Sequence, residues 1–385
     1  MIVPRRPPIR VRPPLSPLED NEVFAVEATG AQLCLRPRAD GSVLRIAGQR
    51  IDLETTLGVA VVEVTGLHPN TNYMAIVEND AGEQTAQVAF RTRSRHVGDI
   101  TKFATISDIH LGTHEFGGQR SINESETTDP PFSLRCARAA ISEAMEWGAE
   151  ALLIKGDLTD TGADSDWDLA HRLLDDVPIP IIATWGNHDV WNTREVEPQD
   201  AATAFNFSTA PVTSTELAGI RLIMADTSIP ESGHGNIEQH REEILELARF
   251  DGPVFLGIHH NIMRTPLPWF WPPGIFPNNA APLLSELPRV NANTFISAGH
   301  THRNRRHSVG PGGALTFTEV AATADYPGVW AGYEISDSRV RQTVRRIASP
   351  NALNWSERVR GALGGVWPRW AQGTLEDRCV DMVIN

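Results

Sequence analysis

Short apolar runs that end in metal-binding side chains constrain this chain most. The run 103–106 leads into Asp108-Ile109-His110. A carboxylate and an imidazole two residues apart at a strand end face the same side of the backbone. Four later clusters repeat the plan: Gly156-Asp157 after 151–155, Gly186-Asn187-His188-Asp189 after 179–184, His259-His260 after 254–258, and Gly299-His300-Thr301-His302 after 294–297. Singly, such residues are ordinary, because a buried His is usually a hydrogen-bonded structural group and a strand-end Asp a turn former. Together they place oxygen and imidazole donors, the ligand types of divalent metals, beyond the carboxyl ends of several strands.

Between these runs lie helical patterns. Residues 133–146 put Leu134, Ala137, Ile141 and Met145 on one face and stop at Gly148. Further helices are expected over 167–174 and 237–250, a strand over 221–225, and a closing hairpin from 332–335 and 340–346. Alternating β and α segments of this kind predict a layered α/β fold.

The front of the chain reads differently. Residues 1–20 interleave proline with arginine and predict an extended arm, since proline at that density propagates neither helix nor central strand. Over 21–95, short alternating segments at 23–28, 32–36, 42–47, 60–64, 73–78 and 84–91 are separated by turns such as Asp40-Gly41. This spacing predicts a small all-β sandwich. Leu67, Pro69, Thr71 and Tyr73, with a closing Phe90-Arg91-Thr92, resemble a fibronectin type III module, and Tyr73 would fill its tyrosine-corner position. Modules of this kind orient or dimerise a neighbouring domain, which leaves a homo-oligomer open, and this one is expected to be separable.

The charge of −14 argues against a nucleic-acid polymer as partner. Three scattered cysteines, Cys34, Cys136 and Cys379, build neither a disulfide framework nor a zinc site. No apolar run approaches the roughly 20 residues of a membrane span. The first residues lack the apolar stretch of a secretory signal, so a cytoplasmic location is expected.

The ordered set D-x-H, G-D, G-N-H-D, H, G-H-x-H resembles the signature of the calcineurin-like metallophosphoesterase superfamily. Gly156-Asp157-Leu158-Thr159-Asp160 and His259-His260 look most like its class III cyclic-nucleotide phosphodiesterases. The resemblance implies a four-layer α/β/β/α sandwich over 99–347, with residues 348–385, which fit no family motif, as a tail packed on the body. It implies two divalent metal ions, for which Mn, Fe, Zn and Co all suit a mixed nitrogen and oxygen set. Asp108, His110 and His302 match the ligands of one ion, Asn187, His259 and His300 those of the other, and Asp157 matches the bridging carboxylate. His259 takes the ligand position and His260 supports it. A shared anion is needed because cations about 3.5–4 Å apart repel. With a bridging hydroxide as nucleophile the site keeps a net positive charge of about one, enough to attract a phosphate ester.

His188 matches the family's catalytic histidine, which contacts phosphoryl oxygens or protonates the leaving oxygen. Asp160 matches a position whose carboxylate pairs with that histidine; its other reading is a helix cap. Asp189 is expected to shape the loop. Purple acid phosphatases carry a similar front sandwich, but the Tyr of their G-D-x-x-Y motif is Asp160 here, so iron–tyrosinate chemistry is not expected.

These motifs specify phosphoester hydrolysis and leave the alcohol open. Asn187 and His188 would meet the substrate. Residues 263–277, with Trp269, Phe270 and Trp271, form the candidate wall beside His259. Trp269 and Trp271 could stack a nucleobase, close an apolar lid or pack on a partner subunit. His114, Glu115 and Arg264 are expected at the entrance. A phosphodiesterase on small diesters or cyclic nucleotides is the first reading and a phosphomonoesterase or broad phosphatase the second. An inactive phosphate-ester-binding module is the non-enzyme reading, and it would require lost ligands, of which there are none.

Overall fold

In the computed structural model the described residues are 18–384, except 118–120, 192–197, 206, 209 and 268–271. The chain opens with β1 Glu22–Val26, β2 Gly30–Leu35, β3 Val43–Ile46, β4 Gln49–Asp52, β5 Ala60–Thr65, β6 Asn72–Glu78 and β7 Gln84–Arg91. They form two small sheets, ordered β1-β2-β5 and β4-β3-β6-β7. Val23, Leu33, Leu44, Val62 and Val77 fill the space between them. The Tyr73 hydroxyl accepts the backbone N–H of His68 at 2.7 Å, pinning the turn before β6. Strand β4, of sequence QRID and half-exposed, carries too little apolar alternation to be expected from sequence.

The larger body runs through β8 Thr101–Ile106, the short pair β9 Glu115–Phe116 and β10 Ile122–Asn123, α1 Phe132–Trp147, β11 Leu152–Lys155, α2 Asp164–Leu174 and β12 Ile181–Thr184. It continues with α3 Pro198–Ala204, β13 Val212–Leu217, β14 Ile220–Ala225, α4 Arg241–Leu247, β15 Val254–Ile258, α5 Pro277–Val290 and β16 Thr294–Ala298. Then come β17 Arg305–Val309, β18 Leu315–Glu319, β19 Val329–Ser336 and β20 Arg339–Arg346, and finally α6 Pro350–Val359, α7 Ala362–Ala371, α8 Leu375–Arg378 and β21 Cys379–Val383.

Two six-stranded sheets result, ordered β12-β11-β8-β19-β20-β21 and β13-β14-β15-β16-β18-β17. In the first, β8, β11 and β12 are parallel. In the second, β14, β15, β16 and β18 are parallel. Adjacent residues of one strand serve different cores. Ala104, Ile106, Leu152 and Ile154 pack under α1, α2 and α6. Phe103, Ala151 and Leu153 face Leu222, Phe255 and Phe295 of the other sheet. A third core lies beneath α4 and α5. Burial on both faces explains why these strands read as unbroken apolar runs.

Helix α5 was not anticipated, because Pro282 and Pro288 interrupt its pattern. It nevertheless buries Ala280, Leu283 and Leu287 on one face. Residues 349–384 are folded onto the body. Their α6 and α7 put Trp355 and Trp367 into the core shared with α1, and β21 closes the edge of the first sheet.

The front module is joined to this body by buried polar contacts. Gln32 pairs its side-chain amide with the backbone of Arg346 in both directions, at 2.7 and 2.8 Å. Arg378, fully buried, donates to the carbonyls of Val23 and Phe24 at 3.0 and 2.8 Å. Phe24 and Cys34 belong to the core between the large sheets. No helix among the described residues is long and apolar enough to cross a membrane. The three cysteines are buried and free.

Candidate metal centre

The strand ends converge. Asp108 and His110 follow β8, Asp157 follows β11, Asn187 and His188 follow β12, His259 follows β15, and His300 and His302 follow β16. Sharp loops are needed to turn these side chains inward. Asp108, His110, Asp157, His300 and His302 all have φ between 49° and 65°. Left-handed backbone costs an L-residue about 1–2 kcal/mol and persists only where its surroundings fix it. Here the fixing is hydrogen bonding between loops. The N–H groups of Ile109 and His110 donate to the Asp157 carbonyl at 2.8 and 3.1 Å. The His300 N–H donates to Asp108 Oδ1 at 2.8 Å. Gly186 is obligatory, since a Cβ there would lie 2.1 Å from Asp157 Oδ1.

Partners outside the cluster settle which nitrogen of each ring points in. A carbonyl only accepts, so His259 Nδ1, 2.9 Å from the Lys155 carbonyl, carries its proton and leaves Nε2 free. His300 Nε2 likewise donates to the Pro273 carbonyl at 2.9 Å, leaving Nδ1. His302 Nδ1 meets Asp325 Oδ2 at 2.6 Å, leaving Nε2.

The free atoms meet. His259 Nε2 lies 3.2 Å from Asn187 Oδ1, 3.2 Å from His300 Nδ1 and 3.2 Å from Asp157 Oδ2. His302 Nε2 lies 3.3 Å from His110 Nε2 and 3.5 Å from Asp108 Oδ1. Asp157 Oδ2 is also 3.7 Å from His110 Nε2, so this one carboxylate stands between the two groups. Such converging sets of imidazole and oxygen donors fit divalent cations. Asp108 Oδ2, buried and without a hydrogen-bond partner, points to the same requirement.

Electrostatics agree. Burial alone would lower His259 and His302, but Asp157 in the first case and Asp325 with Asp108 in the second outweigh it and hold each imidazole at about 9. Burial and the neighbouring His259 instead push His300 down to about 3. For Asp157, burial acts upward, and the ring of histidines led by His259 carries its carboxyl well below the usual range. Asp108, Asp157 and Asp325 thus supply a negative field at His259 and His302.

The remaining expected residues stand around this core. His188 Nδ1 faces the Asp160 backbone carbonyl at 2.6 Å. The Asp160 carboxylate is farther from it, at 3.8 Å, and nearer His110 Nδ1, at 3.3 Å. The carbonyl of Asp160 therefore sets the His188 tautomer, and its carboxylate supports His110. Asp189 ties the loop by accepting from Thr159 and Gly186. His260 is buried behind the cluster with Nδ1 on Thr227 Oγ1 at 2.9 Å. Glu115 lines the cleft, whereas Arg264 meets His307 at 2.8 Å. Trp269 and Trp271 lie outside the described residues.

Sequence reasoning missed Asp325, which sits in the loop before β19 with no motif around it. It also missed Lys155, whose buried Nζ reaches Ser297 Oγ at 3.0 Å and the Ala298 carbonyl at 2.9 Å across the two sheets. Burial, opposed by Asp108, brings this amine down to about 7.

Residues 101–304, just over half of the chain, match the calcineurin-like phosphoesterase family. A probable cyclic nucleotide phosphodiesterase of Psychrobacter arcticus is 26% identical over 219 residues, spanning 53% of this chain and 75% of that protein. Among solved structures, a purple acid phosphatase from yellow lupin (Lupinus luteus) seeds aligns with TM-score 0.45 at 12% identity, over 85% of this chain and 72% of that one. A dimetal phosphatase from Danio rerio aligns with TM-score 0.46 at 14% identity, over 65% of this chain and 99% of that one. With the family matched across the strand ends that carry the cluster, the chain belongs to the calcineurin-like phosphoesterases and is a metal-dependent phosphoric ester hydrolase.

Proposed function

We propose that the protein hydrolyses small phosphodiesters, cyclic nucleotides among them, at a dinuclear metal centre. One observation carries the choice of diester over monoester. The cleft has two lobes, of about 320 and 450 Å³, that share Phe116, Gly117, His188 and His302. A phosphate seated at the metal cluster would have room for an alcohol group on each side. The likeness to the Psychrobacter arcticus protein supports the same reading. The stack of helices, two sheets and helices supports reading 99–347 as the superfamily's four-layer sandwich. The strand orders of the front sheets and the Tyr73 bond support reading 21–95 as a fibronectin type III-like module.

Asp108, His110 and His302 would hold one ion, Asn187, His259 and His300 the other, and Asp157 both. Bound ions would supply Lewis-acid activation of water and of the phosphoryl oxygens. The chain's own contribution is orientation and one mobile proton. His188 donates its Nδ1 proton to the Asp160 carbonyl, so Nε2 is the atom left for the substrate. A second proton held there can pass to the leaving oxygen or bond a phosphoryl oxygen.

The test is a panel of cyclic nucleotides, acyclic diesters and monoesters, given to the wild type and to His188→Ala after reconstitution with Mn, Fe, Zn or Co. Diesters should be preferred, and the substitution should lower kcat by about 10²–10⁴-fold with both metals retained. The loss should be largest for poor leaving groups such as a ribose hydroxyl. An equal loss for all leaving groups would make His188 a charge-stabilising group and no acid. Preference for monoesters would overturn the diester reading.

A further inference from the structure

We infer that the C-terminal segment builds a binding lobe for a flat aromatic group on the substrate's alcohol. This rests on the phosphodiesterase reading above and adds the chemistry of one ester arm. The 450 Å³ lobe is walled by Phe116, Trp191, Pro272, Pro273, Leu363 and Trp367. Leu363 and Trp367 lie beyond residues 101–304, the stretch that matches the family. Trp367 is fixed edge-on to Phe116, with centroids 5.0 Å apart, and its ring lies 6.0 Å from that of His302. Trp191 stacks beside His188 at 6.0 Å. An aromatic group in the lobe would therefore lie against aromatic faces while its phosphate stays at the cluster.

Leu363 makes the case specific. It is 53% exposed and has φ 51°, with Gly364 and Gly365 following at 65° and 82°. Its left-handed backbone is unfavourable for leucine, whereas its exposure alone is ordinary. Both place an apolar side chain at the rim of the metal cleft. Trp191, 47% exposed, does the same from the opposite loop. Among the described residues, no lysine or arginine lines either lobe, while Glu115, Asp160 and Asp325 line the smaller one.

The experiment uses the full chain loaded with Mn²⁺ and measures the affinities of methylphosphonate, phenylphosphonate and thymidine 5′-monophosphate by calorimetry. Phenylphosphonate should bind about tenfold more tightly than methylphosphonate, the usual range for a well-filled apolar pocket. Leu363→Gly and Trp191→Ala should each shrink that ratio severalfold. Leu363→Gly should also keep or raise the melting temperature, since glycine accepts the left-handed conformation, so its effect cannot be a folding defect. A nucleotide held more tightly than phenylphosphonate assigns the lobe to a base, and the reverse order to a plain aryl group. A wild-type ratio near one, or a ratio untouched by both substitutions, overturns the inference. Aromatic preference without hydrolysis of any ester would instead overturn the enzymatic reading and leave the lobe in place.

Discussion

Charge is handled in opposite ways at the metal cleft and at the seam between the front module and the body. Along the seam, buried guanidinium groups have carboxylate partners within the chain. Arg345 meets Glu27 at 2.6 Å and Glu63 at 2.8 Å. Arg346 pairs with Glu357, which also holds Arg36 at 2.6 Å. Arg378 reaches Glu22 at 3.1 Å. In the cleft, Asp108 and Asp157 are just as buried, yet no lysine or arginine is paired with either among the described residues; histidines surround them, and Asp108 Oδ2 has no partner. A buried carboxylate oxygen left without a partner is costly, and the histidines that offset the surrounding charge make no hydrogen bond to Asp108 Oδ2. The seam is complete as built, and the cleft is complete only with cations.

The largest effect that would break this contrast is in the cleft. Asp157→Ala removes the one carboxylate that lies between both donor groups. Both metals should be lost by elemental analysis, and turnover should fall to background. Two metals per chain in an active Asp157→Ala protein would show that the charge there is not the one the cations need.

At the seam, Arg345→Leu should leave metal content intact and act on stability alone. It strands Glu27, which also accepts from Trp147 Nε1 at 3.0 Å. Breaking a buried pair typically costs 3–5 kcal/mol; with Glu63 partly solvated, about 3 kcal/mol is expected by chemical denaturation. Adding Glu27→Gln should recover part of it. A loss under about 0.5 kcal/mol would mean that the module is held by packing and not by charge. The same seam argues against a freely separable module, since removing it would expose Arg346, Arg378 and the core around Phe24 together.

The two regions were not equally legible. The cleft could be read because each donor follows its own apolar run, so local pattern and global site coincide. The seam could not. Gln32, Arg345 and Arg378 lie in unremarkable surroundings, and their meaning comes only from partners hundreds of residues away. For the same reason the C-terminal segment read as a mere tail. Its Trp355 and Trp367 are core residues and β21 completes a sheet, but no local periodicity announces a contact with β1 or with the cleft. Helix α5 was hidden by its prolines and Asp325 by the lack of any motif around it.

The smallest effect tests whether a residue with an internal partner can still serve the cleft. Asp325 belongs to both kinds of region: it is buried and paired, but its partner is His302, whose other nitrogen faces Asp108. Burial raises its carboxyl, with His302 opposing. Asp325→Asn keeps the shape and removes the charge that fixes the tautomer and strengthens the ring as a donor. Partners of this kind typically contribute 10–100-fold in metal affinity. The expected result, from competitive titration against a chelator, is a loss in that range for one ion, with the other held as before. Because the substitution also removes an acidic neighbour, its stability cost should be modest, and the fold should survive to be titrated. Unchanged affinity for both ions would place Asp325 with the seam residues, as structure only. Loss of both ions together would show that His302 is not confined to one metal.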